Sequence, residues 1–229
     1  LFDAGPLQPG MDIFLKSLAF DPMENEGPAG NMQGMAGMAG MNHGAGQTTP
    51  GLESARLPLG LAFNLLKLTV AAADRVATPL PATLSVVRPI SLERAVERKI
   101  ELSMQHMQFL INGRSFRMDE IAFDVQRGAV EVWHIRNPAI GMPHPMHMHG
   151  FSFQVLERLG SPPQVASTAR FGKGRTVSDL GWKDTVLVWP GESVRIAIDF
   201  SHDFPGDQTY LFHCHNLEHE DGGMMINFR

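Results

Sequence analysis

The chain has 229 residues, 43% of them hydrophobic and 19% charged, and a formal net charge of −5. Its length allows one or two domains with a sizeable core, and its acidic balance, without a basic run, excludes the electrostatic footprint of a nucleic-acid binder. No apolar stretch reaches membrane-spanning length, and a single cysteine excludes an internal disulfide.

In chain order, the first signal is Met11-Asp-Ile-Phe-Leu-Lys, a short alternating run that fits the last strand of a preceding domain. The chain opens at Leu1 with neither an initiator methionine nor a signal peptide, and reads as a mature piece or an internal fragment. Residues 21–50 are rich in Gly, Ala, Met, Asn and Pro and have little to bury. Met32, Met35, Met38 and Met41 recur there every third residue, and His43 ends the run. Three readings stay open: a flexible loop with incidental methionines, a thioether strip that captures Cu(I), or a helical turn, which the glycines oppose.

Leu61 to Val70 is a dense apolar run that reads as a strand closing the previous domain. The change of composition at residue 61 divides the chain into 1–60, a tail carrying the Met-rich loop at about 21–50, and a second domain, 61–229. Thr78 to Pro89 is a proline-containing connector, and Ser91 to Lys99 fits one or two helical turns or a loop. Short strand candidates follow at Ile100–Met104, Gln108–Ile111, Ser115–Met118, Val130–Ile135, Phe151–Arg158, Thr185–Val188, Ser193–Phe200, Thr209–His213 and Met225–Phe228. Asn112-Gly113 is a hairpin signal. Residues 160–181 read as a long surface loop. Many short alternating strands at this spacing predict an all-β sandwich.

The chemistry concentrates in His213-Cys214-His215-Asn-Leu-Glu-His219-Glu220-Asp-Gly-Gly-Met224. A thiolate, an imidazole and a thioether within eleven residues, with a second imidazole from elsewhere, form the ligand set of a blue-copper centre. Cys214, His219 and Met224 supply the first three. If Tyr210 to His215 is a strand, its side chains alternate, so His213 and His215 face away from Cys214 towards a second metal site. Upstream, His144-Pro-Met-His147-Met-His149-Gly adds three histidines; the two segments hold six of the ten in the chain.

These two segments resemble the paired C-terminal copper motifs of the multicopper oxidases, the family of laccases and bacterial cuprous oxidases. Gly181-Trp-Lys-Asp-Thr-Val186 resembles a stretch that lies between the motifs in bacterial members. The resemblance covers roughly 62–229. It implies a cupredoxin-like Greek-key β-sandwich and a periplasmic or secreted setting. It implies that His144, Cys214, His219 and Met224 hold a type 1 copper, His147 the type 2 copper, and His149, His213 and His215 the type 3 pair. The implied activity takes single electrons from an organic or Cu(I) donor and reduces O₂ to water at a trinuclear cluster, with four coppers in the complete enzyme. Glu220, directly after the type 1 histidine, stands where bacterial relatives place a proton-relay acid; a solvated or anchoring carboxylate is the other reading.

Two departures matter. The family's trinuclear cluster uses eight histidines, four of them from two N-terminal His-x-His pairs, and upstream of His144 only His43, His106 and His134 occur, unpaired. The chain is therefore expected to need domains that precede it. Cuprous oxidases of this kind often carry an acidic residue just before the first copper motif, and Asn137 to Pro143 has none. That shifts weight towards phenolic or other organic donors. The alternatives are a type 1 electron-transfer cupredoxin without oxygen chemistry, and a zinc-binding or metal-free sandwich.

Overall fold

The computed structural model describes residues 7–21, 60–72, 81–83, 85–105 and 108–229. Met32, Met35, Met38, Met41, His43 and His106 lie outside them. The described residues divide into two units, the second beginning at Val87. In the first, β1 (Asp12–Ser17) and β2 (Phe63–Thr69) pair antiparallel, with Lys67 and Thr69 bonded to Asp12. Phe14, Leu15, Leu65 and Leu66 are exposed on this pair. The expected boundary at residue 61 falls inside this unit: β2 finds its backbone partner in β1, so the division comes after it, at Val87.

The second unit is a sandwich of two five-stranded sheets. One sheet runs, in spatial order, β4 (Gln108–Ile111), β3 (Val96–Gln105), β6 (Val130–Arg136), β10 (Ser193–Asp199) and β8 (Phe153–Leu159). The other runs β5 (Ile121–Phe123), β12 (Met225–Phe228), β11 (Tyr210–Cys214), β7 (His144–Met148) and β9 (Thr185–Val188). The pairs β3–β6 and β12–β5 are parallel and the rest antiparallel. This is the cupredoxin-like sandwich that the resemblance implies.

Alternation builds the core. Val132, Ile196, Ile198, Phe153, Phe212 and Phe228 are all buried. Trp133 sits among Phe123, Phe212 and Phe228 in edge-to-face pairs 5.2–5.5 Å apart. Its indole N–H donates to Glu131 at 2.7 Å, and Arg98 pairs with the same carboxylate, so the buried charge is matched.

Two local expectations change. Ser91 to Lys99 holds only a turn, and Val96 onward belongs to β3, which pairs with β6. Ser115–Met118 is not a strand. Asn112 and Gly113 make the tight turn at positive φ (51° and 72°), but only Ile111 and Arg114 bridge across it, and β4 pairs with β3 instead. The departing segment bonds elsewhere: Phe116 N–H donates to the Gly223 carbonyl at 2.9 Å. Residues 160–181, expected as a surface loop, carry a short helix, α1 (Pro163–Ala166), and a 3₁₀ turn, Val177–Asp179. They are tied down by a buried triad: Arg158 pairs with Asp179 at 2.8 Å and with Glu192 at 2.9 Å.

Candidate metal centre

Strands β7 and β11 lie side by side with Cys214 opposite Met146, His213 opposite His147 and Phe212 opposite Met148. Because side chains alternate across a strand, this register sorts the motif residues. His144, Met146, Met148, Phe212 and Cys214 are buried on the core side. His147 and His213 fall on the other face, and the expectation that His213 turns away from Cys214 holds.

The inner nest joins His144, Cys214 and His219. His144 Nδ1 and His219 Nδ1 are 3.0 Å apart and lie 3.6 and 3.5 Å from Cys214 Sγ. His219 arrives on α2 (Leu217–Asp221), which starts where the Asn216 side chain accepts the Glu218 N–H at 3.2 Å. Phe109 lies over the His219 ring with centroids 4.2 Å apart. Met224 is drawn alongside by two backbone bonds: Cys214 N–H to the Met224 carbonyl at 3.0 Å, and Met224 N–H to the His219 carbonyl at 2.9 Å. The return from α2 requires Gly223, whose φ is +90° and where a Cβ would stand 2.2 Å from Ser115 Oγ. Met224 is fully buried.

Burial decides the protonation of this nest. It pushes His144 down to about 3, with the neighbouring His219 adding to the effect, and His219 down to about 4. It pushes the Cys214 thiol up to about 12. Two neutral imidazoles thus aim nitrogen atoms at one another and at one sulfur. Facing Nδ1 atoms cannot both donate, so at least one lone pair is left without a proton. A cation that takes two imidazoles and a thiolate satisfies all three at once, which is the donor set of a trigonal copper site.

The outer cluster joins His147, His149 and His213, whose ligand atoms lie within 4.8 Å of one another. His147 Nδ1 is 3.0 Å from the Asp184 carbonyl and 2.9 Å from Thr185 Oγ1. His213 Nδ1 is 3.0 Å from the Cys214 carbonyl. Carbonyls only accept, so both Nδ1 atoms carry the proton and both Nε2 atoms present lone pairs. His149 Nε2 is 3.0 Å from His213 Nε2. His149 and His213 are both held below the usual imidazole range, first by burial. His215 is exposed, with its ring centroid 5.3 Å from that of His213 and 5.5 Å from that of His147. It borders the cluster without joining the tight trio. Glu220 Oε2 is buried without a hydrogen bond among the described residues, 3.5 Å from His213 Nδ1 and 3.9 Å from His215 Nδ1.

Sequence reasoning named the side chains that the fold gathers into the inner nest and the outer cluster, but not the residues that orient them. Asp184 and Thr185, in the stretch noted only for its resemblance, orient His147. Phe109, over the His219 ring, carried no signal, because its residue type is not diagnostic. His134 bonds Glu97 away from both clusters. His202 lines a cavity of about 400 Å³ with Phe151, Phe200 and Tyr210, which holds none of the six clustered histidines.

A family model described as multicopper oxidase matches residues 89–229. The chain is 37% identical over 134 residues to the multicopper oxidase mco of Staphylococcus haemolyticus, covering 57% of this chain and 26% of that protein. It is 39% identical over 124 residues to a laccase of Bacillus subtilis, covering 51% and 23%. Among solved structures, the McoA multicopper oxidase of Aquifex aeolicus matches with a TM-score of 0.64 and 39% identity, over 74% of this chain and 37% of that one. The chain thus spans about a quarter of the length of these two relatives. A copper-shaped nest, a second histidine cluster one strand's thickness away and a family match across both have one reading: the chain belongs to the multicopper oxidase family, whose cofactor is copper.

Proposed function

We propose that this chain is the C-terminal, electron-accepting part of an oxidase that draws single electrons from a small donor and reduces O₂ to water. One observation carries the reading: Cys214 belongs to the inner nest while its neighbour His213 belongs to the outer cluster. His144, Cys214 and His219, with Met224 beside them, would hold a type 1 copper. His147 would serve the type 2 copper, and His149, His213 and His215 the type 3 pair. Copper bound there supplies one-electron redox chemistry, its potential set by the axial donor and the surroundings of the sulfur.

The residues of the chain do the rest. Burial of the inner nest excludes water. Asp184, Thr185 and the Cys214 carbonyl fix the tautomers of His147 and His213. The backbone from Cys214 Sγ to the His213 ring is a covalent path, shortened by the hydrogen bond from that ring to the Cys214 carbonyl. Glu220, whose Oε2 lies 3.5 Å from His213 Nδ1, would serve as the acid that relays protons to the outer cluster.

Four imidazoles do not complete a trinuclear cluster, so the remaining ligands belong to segments outside this chain, and the β1–β2 pair fits the tail of a preceding domain. The setting is periplasmic or secreted. The donor is a phenol-like molecule or Cu(I), the latter if Met32, Met35, Met38 and Met41 bind it. A plain electron-transfer cupredoxin leaves the outer cluster without a purpose. In the full-length protein, replacing His147 and His213 by Ala should abolish O₂ uptake while keeping absorption at roughly 600 nm, the mark of a His₂Cys copper. Undiminished O₂ uptake in that variant would reject the oxidase reading.

A further inference from the structure

His144 enters the inner nest from an irregular segment, residues 137–143, and something must hold its first backbone atoms. Asn137 is 1% exposed. Its backbone N–H donates to the Glu192 carbonyl at 2.9 Å, which roots it in the neighbouring turn. Its side-chain Nδ2 donates to the Met142 carbonyl at 2.8 Å and to the Val188 carbonyl at 3.0 Å. Met142 is two residues before His144, and Val188 is the residue facing His144 across β7 and β9. Both hydrogens of one amide are thus spent on the segment that leads into β7 and on β9, which faces His144.

The arrangement has a cost. Asn137 Oδ1 is buried with no hydrogen-bond partner among the described residues, and an unsatisfied buried acceptor is destabilising. A fold that needed only bulk here would do better with an apolar side chain. Serine offers one hydrogen and aspartate, when ionised, none; of the small polar side chains, asparagine can bind both carbonyls together. Gly141, at φ +150°, bends the segment back so that the Met142 carbonyl returns to the amide.

We infer that Asn137 is a positioning residue that clamps the backbone around His144 and so sets the place of its imidazole in the inner nest. The inference rests on the reading that His144, Cys214 and His219 hold a type 1 copper. Without the clamp, the 138–143 segment parts from β9, His144 shifts, and the buried Cys214 comes within reach of small reagents.

The test uses the full-length protein with Asn137→Ala and, should that variant not fold, Asn137→Ser. The control is Gln154→Ala. Gln154 is also a buried amide with two backbone partners, accepting from Ile90 N–H at 3.1 Å and donating to the Arg88 carbonyl at 2.7 Å, but it touches neither nest. Two readouts are taken: the rate at which iodoacetamide labels Cys214 in metal-free protein, followed on the Cys214 peptide, and the position and relative strength of the copper–thiolate bands after Cu(II) loading. The clamp predicts labelling at least ~10-fold faster and altered bands in the Asn137 variants, with wild-type values in Gln154→Ala. Labelling and bands in the Asn137 variants equal to those of Gln154→Ala would overturn it. A wild-type protein with no thiolate band at all would instead reject the copper reading beneath it, and the inference with it.

Discussion

His213 Nδ1 donates to the carbonyl oxygen of Cys214 at 3.0 Å, so an imidazole of the outer cluster and the thiol of the inner nest are joined both through bonds and through a hydrogen bond. The same bond leaves Nε2 of His213 with a lone pair, which faces His149 Nε2 at 3.0 Å. Cys214→Ser leaves this bond in place, since the carbonyl is unchanged. It removes the only soft anion of the nest. The expected result is loss of the band at roughly 600 nm and of donor oxidation, with the outer cluster still able to bind copper. Retention of that band in Cys214→Ser would show that the thiolate is not a ligand.

Two adjacent methionines compete for the axial position. Met224 is fully buried and bonded through its backbone to Cys214 and His219, whereas Met225 stands opposite His213 in the β11–β12 ladder. Met224→Leu should keep the blue site, held by two imidazoles and the thiolate, and raise its reduction potential by removing a weak donor to Cu(II). A tenfold loss of Cu(II) over Cu(I) binding corresponds to a rise of ~59 mV for one electron. Met225→Leu should leave the potential unmoved. A redox titration of both variants reads the difference; the reverse pattern would put the axial donor one residue later.

The candidate ligands were legible in the sequence because their chemistry is rare. A lone cysteine between two histidines, with a histidine and a methionine at fixed spacing behind it, has few structural uses. The alternation of β11 was also legible, and it sorted His213 from Cys214. What holds the ligands was not. Phe109 over His219 and Asn137 ahead of His144 are brought there by strand pairing between distant segments, and nothing local distinguishes them; the same is true of the Arg158–Asp179–Glu192 triad, which ties down 160–181. The segment 160–181 looked like solvent-facing loop because its polar residues gave no sign that Asp179 would be buried against Arg158. Ser115–Met118 looked like a hairpin arm because turn chemistry at Asn112-Gly113 says that the chain reverses, not which strand it then pairs with.

The lid over His219 gives a prediction that couples two positions. Gly222 ends α2, its N–H donating to the Glu218 carbonyl at 3.0 Å. A Cβ at this glycine would stand 2.5 Å from a ring carbon of Phe109 and 3.0 Å from the Glu218 carbonyl oxygen. Gly222→Ala must therefore push the Phe109 ring off the imidazole, costing about 1–3 kcal/mol of stability as overpacking and shifting the copper–thiolate bands. Phe109→Leu should relieve part of the clash, so the double variant should be more stable than the sum of the single losses. Urea unfolding of the three variants closes the cycle. Strict additivity would mean that the two positions do not meet.

Protonation of the inner nest predicts how metal-free stability and copper loading depend on pH. His144 and His219 are depressed in the folded state from 6.5 to about 3 and about 4 by burial. An unfolded chain takes up these protons first as pH falls. The metal-free protein should therefore keep its full stability above about pH 6.5 and lose it progressively as pH falls from there towards 3. Cys214 is raised from 9.0 to about 12 by burial, so the sign is opposite: the unfolded chain loses the thiol proton first, and stability should fall as pH rises from 9 towards 12. Cys214→Ser should abolish that alkaline decline and leave the acid one. Copper loading runs against the thiol, since the ligand must be a thiolate. Between about pH 5 and 9 the imidazoles are already neutral and the thiol still protonated, so filling this nest should release about one proton, and the logarithm of its copper affinity should rise by about one per pH unit. Following the thiolate band in competition with a chelator of known pH dependence measures that slope. A slope near zero would mean that Cys214 is already ionised without metal, and that burial does not govern its titration.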